Sequence, residues 1–153
     1  MSTKFHGLMS LGLVGAAVVI AAVTAFAESL LLGVVYLAVC AGAIAAVINA
    51  YCAKCPCKAN CGHVIPGKLA LMLTHRRPGP FTKGDLAIVG VGLLILLGVP
   101  NVWMRQNATL TVVFWVLVVV GVVQIRSFVC RACGNNLCPL NKAYSASVGQ
   151  RGP

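Results

Sequence analysis

Seven of the eight cysteines in this 153-residue chain fall in two short stretches. The first is CAKCPCKANCGH, residues 52–63, carrying Cys52, Cys55, Cys57, Cys61 and His63. The second is CRACGNNLC, residues 130–138, carrying Cys130, Cys133 and Cys138. Thiolates are soft donors, and two residues between cysteines let both sulfurs reach one metal while the backbone turns beneath them. Gly62, Gly134, Asn135 and Asn136 supply turn-compatible conformations beside those donors. Seven thiols and His63 make eight donors, enough for two sites of four. Cys52, Cys55, Cys130 and Cys133 could share one site, and Cys57, Cys61, His63 and Cys138 the other. Other partitions of the eight donors are open.

The expected chemistry is a metal centre, with iron–sulfur preferred to zinc. Zinc favours closed sites of four cysteines, or three and a histidine, with paired spacings. Iron–sulfur clusters also take four cysteines but tolerate more varied spacing. The tight Cys55-Pro56-Cys57 step suits a cluster, or two ligands aimed at different centres, better than a plain zinc ribbon. Among clusters a 4Fe–4S centre is expected before a 2Fe–2S one. Cys138-Pro139 echoes the proline that follows the last cysteine of two-cluster ferredoxins, although the full ferredoxin run is absent. Cys40 stands apart in an apolar run and reads as a small packing residue.

The elements that must position these donors are membrane helices. Hydrophobic residues make up 59% of the chain and charged residues 9%. A span needs about 20 mostly apolar residues to cross a hydrocarbon core of about 30 Å. Four stretches qualify, at about 8–27, 30–51, 86–103 and 108–125, and none contains a charged residue. Their continuity, without alternation, points to helices rather than barrel strands. Ala25-Phe26-Ala27 fits a signal-cleavage site, but the run before it is long for one, so a retained first helix is expected. The fold class is therefore an all-α integral membrane protein, four helices arranged as two hairpins. Each hairpin is followed by a cysteine-rich juxtamembrane segment: a loop over 52–85 and a tail over 126–153. The two units repeat weakly, Cys52 and Cys55 aligning with Cys130 and Cys133.

Charge sets the expected orientation. Of the twelve Lys and Arg, only Arg105 lies in a connection opposite the termini. By the positive-inside rule the termini and both cysteine segments face the cytoplasm, across an inner membrane. The net charge of +10 is mostly this topology signal. No nucleic-acid-binding module is visible, and anionic lipid headgroups are the natural partners of the basic face. An interfacial helix is expected over about 67–77, with Lys68, Arg76 and Arg77 toward lipid phosphates. Thr82 or Asp85 should cap the third span. Small residues at Gly12 and Ala16, and at Ala38, Gly42, Ala46 and Ala50, offer smooth helix faces, for packing or for a homo- or hetero-oligomer.

Four function classes follow. The first is electron transfer through a cytoplasmic-face iron–sulfur centre, in a small subunit with membrane or soluble redox partners. The second is a structural or assembly protein with zinc-stapled loops. The third is a soft-metal (zinc or copper) transporter or chaperone, weakened because only Cys40 lies along the spans. Thiol–disulfide exchange is the fourth. A hydrolytic enzyme is disfavoured: the only acids are Glu28 and Asp85, and no nucleophile or phosphate-loop motif appears.

Overall fold

The computed structural model describes residues 3–57, 59, 61–73, 79–135 and 138. These are helical throughout their regular parts. Helix α1 covers Thr3–Glu28, α2 Leu30–Val47, α3 Val64–Leu73, α4 Lys83–Gly98, α5 Asn101–Met104 and α6 Ala108–Gln124. Four continuous helical stretches are long and apolar enough to cross a membrane: Thr3–Glu28, Leu30–Cys52, Lys83–Met104 and Ala108–Val129. The chain is a multi-pass membrane protein on these helices, and their outward faces are rows of exposed valine and leucine suited to lipid.

Each turn has a local cause. Ser29 takes extended backbone after α1, and its hydroxyl accepts from Leu32 N at 3.0 Å, so one residue separates α1 from α2. Thr82 caps α4 in a reciprocal box with Asp85. Asn107 caps α6 by accepting from Leu110 N at 3.2 Å. Pro100 does not stop the third span; its backbone stays helical and α5 continues from it. A proline has no N–H, so the Leu96 carbonyl one turn earlier loses its usual partner. The Tyr36 hydroxyl of α2 donates to that carbonyl instead, at 3.3 Å. An orphaned carbonyl in a membrane interior is costly, so this bond compensates the proline.

Helix α1 is the centre of the bundle. It packs against α2 on one side and α6 on the other, while α4 packs on α2. Third and fourth spans meet mainly through α5 rather than along their lengths, so the expected second hairpin is opened out. The contact stripe of α1 is Ala17, Ala21 and Ala25, all fully buried, which admits the large side chains of Tyr36, Trp103 and Phe114. Trp103 is drawn inward, its indole N–H shared between Thr24 Oγ1 at 3.2 Å and Ala21 O at 3.3 Å. Such interhelical bonds contribute about 0.6 kcal/mol on average in a membrane protein, and up to about 1.7 kcal/mol.

The small-residue faces expected from sequence are distributed differently. A Cβ added at Gly12 or Gly42 would meet nothing within 4 Å, and Ala16 and Ala38 are exposed. Ala50 is buried and Ala46 half-buried. The close helix contacts use other glycines. Gly33 lies beneath the Phe26 ring, Gly92 lies against Val47 and Ala43, and Gly121 against Val14 and Ser10. Helix α3 forms after the first cysteine segment and exposes Lys68. Arg76 and Arg77, the other expected lipid-facing basic residues, lie outside the described residues.

Candidate thiol centre

Both cysteine segments leave the bundle through the same local device. Helix α2 widens into a π-helical turn at Ile48–Cys52, closed by Ala53 N–H to Ile48 O at 2.9 Å. Helix α6 widens likewise at Ile125–Val129, closed by Cys130 N–H to Ile125 O at 2.8 Å. Single π turns inside helices are rare and recur at functional sites. A tight turn then joins each C-x-x-C pair: Cys55 N–H to Cys52 O and Cys133 N–H to Cys130 O, both 3.2 Å. The spacing is legible in the sequence, but the widened helix ends that aim it are not.

The first helix supports this end of the bundle. Gly7 of α1 approaches Gly62 so closely that a Cβ on Gly7 would lie 2.0 Å from the Gly62 carbonyl oxygen. His6 stacks on Phe128 of the fourth span, ring centroids 4.4 Å apart. Gly62 in turn lies against Val129 and Thr3. The first segment is therefore draped across the start of α1 and reaches the end of the fourth span. Its Lys54 is pinned from the third span by an ion pair with Asp85. Asp85 also accepts from Thr82 Oγ1 at 2.7 Å and Thr82 N at 2.9 Å. The carboxylate thus caps a helix and anchors the C-x-x-C turn at once, a double role that the capping pattern alone does not reveal.

Thiols from the two segments meet. Cys57 is close enough to Cys133 for their charges to interact. Cys61 is close enough to Cys133 and Cys138, and Cys130 to Cys61, for their charges to interact. Two bonds cross between segments. The Tyr51 hydroxyl and the Cys138 sulfur are 2.8 Å apart, and Asn135 Nδ2 donates to Cys55 Sγ at 3.5 Å. Asn135 and Cys138 are buried. Burial pushes the Cys55, Cys57 and Cys61 thiols above their ordinary range, and neighbouring thiols add to it. Cys130 is pushed up to about 11 by burial first and by Cys138, Cys133 and Cys61 next, with Arg126 opposing. Bringing many thiols together in a half-buried place disfavours several thiolates at once unless a cation neutralises them.

His63 is turned toward α1. Burial lowers its basicity, partly offset by a hydrogen bond to the Gly7 backbone. Cys40 is buried in the second span, remote from the other seven, as a packing residue would be.

The donor set suits a soft metal in kind and number, seven sulfurs and one imidazole at one end of the bundle. Its side chains are not closed around a point. Among the described residues no three His, Cys, Asp or Glu side chains converge as a metal ion would require. None of the eight cysteines is in a disulfide. Neither a family model, nor a curated protein, nor a solved structure matches this chain.

Proposed function

We propose that this chain is a small membrane subunit that carries an iron–sulfur centre, 4Fe–4S in type, on the cytoplasmic face of an inner membrane and serves electron transfer. The observation that carries the reading is the meeting of cysteines from two distant segments at one end of the bundle, joined by the Tyr51–Cys138 and Asn135–Cys55 contacts. Cysteines that served only as separate lipidation or packing sites would have no reason to converge. An iron–sulfur cluster, when bound, supplies one-electron exchange. Cys52, Cys55, Cys57, Cys61, Cys130, Cys133 and Cys138 are the candidate ligands, with His63 as a further donor. The protein's own part is to hold them half-buried at the membrane surface, beside Lys4, Arg126 and Arg131, which are exposed. Those cations suit anionic lipid headgroups and an acidic soluble redox partner. The open faces at Gly12 and Gly42 suit a neighbouring membrane helix.

A zinc staple is the second reading, and one observation favours it. Helices α2 and α6 flank α1 rather than each other. A closed zinc site between their cysteine segments would fasten two helix ends that the bundle itself leaves apart.

Anaerobic purification in detergent, with an absorption spectrum and assays of iron, sulfide and zinc, separates the two. A brown protein with matching iron and sulfide is the expected result. A colourless protein with stoichiometric zinc would replace the first reading by the second. Cys130→Ser should lower the metal content in either case, since the centre draws on both segments; an unchanged content would exclude a shared centre.

A further inference from the structure

Resting on the metal-centre reading, we infer that Tyr51 and Asn135 are positioning residues for the sulfurs, each holding a thiol of the opposite segment. Tyr51 lies in the π turn that launches the first segment, yet its hydroxyl is 2.8 Å from Cys138, 87 residues later. Asn135 lies in the second segment, yet its amide donates to Cys55 of the first at 3.5 Å. The two bonds cross, so neither segment can shift without breaking the contact it receives and the one it gives.

Both donors are themselves held in place. The Tyr51 ring stacks on Phe81, centroids 4.5 Å apart, and Phe81 immediately precedes the Thr82 cap of α4. The residue before that cap thereby holds the ring by its face. Asn135 is 2% exposed, and its carbonyl accepts from Cys138 N–H at 3.3 Å. Asn135 thus links Cys55 to Cys138 through its side chain and its backbone. A thiolate accepts hydrogen bonds and donates none, so in the metal-bound form Tyr51 O–H and Asn135 N–H are the donors. Donors of this kind draw charge from a ligating sulfur, orient it and tune the metal it holds.

The test uses cobalt(II) alone as the probe, titrated anaerobically into the full-length protein after metal removal, and reads the sulfur-to-cobalt absorption. In the unaltered chain this band should appear. Tyr51→Phe keeps the stack on Phe81 and removes only the hydroxyl; Asn135→Ala removes the amide. Each should move the band to longer wavelength, because the sulfur regains charge, and weaken cobalt binding about tenfold. Asn135→Ser, which restores a donor, should recover part of the shift. Trp115→Phe, at the opposite end of the bundle where its indole bonds Asn101, should change neither. A band that is present but unmoved in both variants overturns the roles given to Tyr51 and Asn135 and leaves the metal centre standing. No sulfur-to-cobalt band in the unaltered chain overturns the metal centre, and these roles with it.

Discussion

Gly7 of the first span and Gly62 of the first cysteine segment meet backbone to backbone. A Cβ on Gly7 would fall 2.0 Å from the Gly62 carbonyl oxygen and 3.3 Å from His63 N. No rotamer change can relieve a clash between two backbones. Gly7→Ala should therefore displace the segment and cost roughly 1–3 kcal/mol, the usual range for overpacking. Gly12→Ala, five residues along the same helix with nothing within 4 Å, should be neutral. Thermal unfolding in detergent, with alkylation of Cys61 as a local reporter, checks the pair: only Gly7→Ala should lower the midpoint and expose the thiol.

The proline in the third span allows a sharper test. Tyr36 donates to the Leu96 carbonyl that Pro100 leaves without an N–H. Tyr36→Phe should cost about 1 kcal/mol, between the average and the maximum for interhelical hydrogen bonds. With Pro100→Ala in place, the residue at 100 regains an N–H for Leu96, and the Tyr36→Phe cost should shrink. A double-mutant cycle measures this coupling. Strictly additive effects would show that the hydroxyl does not compensate the proline.

Asp85 joins the third span to the first C-x-x-C turn through Lys54. Asp85→Asn removes the charge but keeps a capping side chain for Thr82, so α4 should persist. Lys54, partly buried, then loses its counter-ion. The expected outcome is an intact helix content by circular dichroism with faster proteolysis between residues 52 and 63. Lys83→Gln, an exposed charge at the start of the same helix, should leave proteolysis unchanged.

Orientation is open to direct labelling. Ser29 and Gln106 mark the connections opposite the cysteine segments, and both are exposed. In a cysteine-free background, Ser29→Cys and Gln106→Cys should react with an impermeant maleimide added to the outside of intact cells. Cys57, restored alone, should react only after the membrane is opened. The reverse pattern would invert the topology and remove the case for a cytoplasmic centre.

How far the sequence reaches depends on what each signal encodes. Four long uncharged runs announce four membrane helices directly, because length and apolarity are the requirement itself. The Thr82–Asp85 spacing announces its cap for a similar reason. The order in which the helices pack is not legible. Helices apolar on every side carry no stripe that says which face meets a neighbour. By residue type Gly12 and Ala16 are as suitable as Ala17 and Ala21, and only the latter face the core. At the candidate site, cysteine type and spacing can be read, whereas the helpers cannot. Tyr51 resembles an ordinary interfacial tyrosine until its hydroxyl is seen beside Cys138, and Gly7 resembles any small residue of a span until Gly62 is seen against it. Such pairings depend on contacts across the chain, which local pattern does not contain.

The placement of α1 between the second and fourth spans has a consequence for biogenesis. When the first two spans and the segment after them have been made, Cys52, Cys55, Cys57 and Cys61 are present, but Cys133, Cys138 and the Asn135 amide have not yet been synthesised. The last span must enter the bilayer and dock along α1 before its cysteines can meet the earlier ones. The meeting of the two cysteine segments is therefore completed last, after every preceding helix has been made.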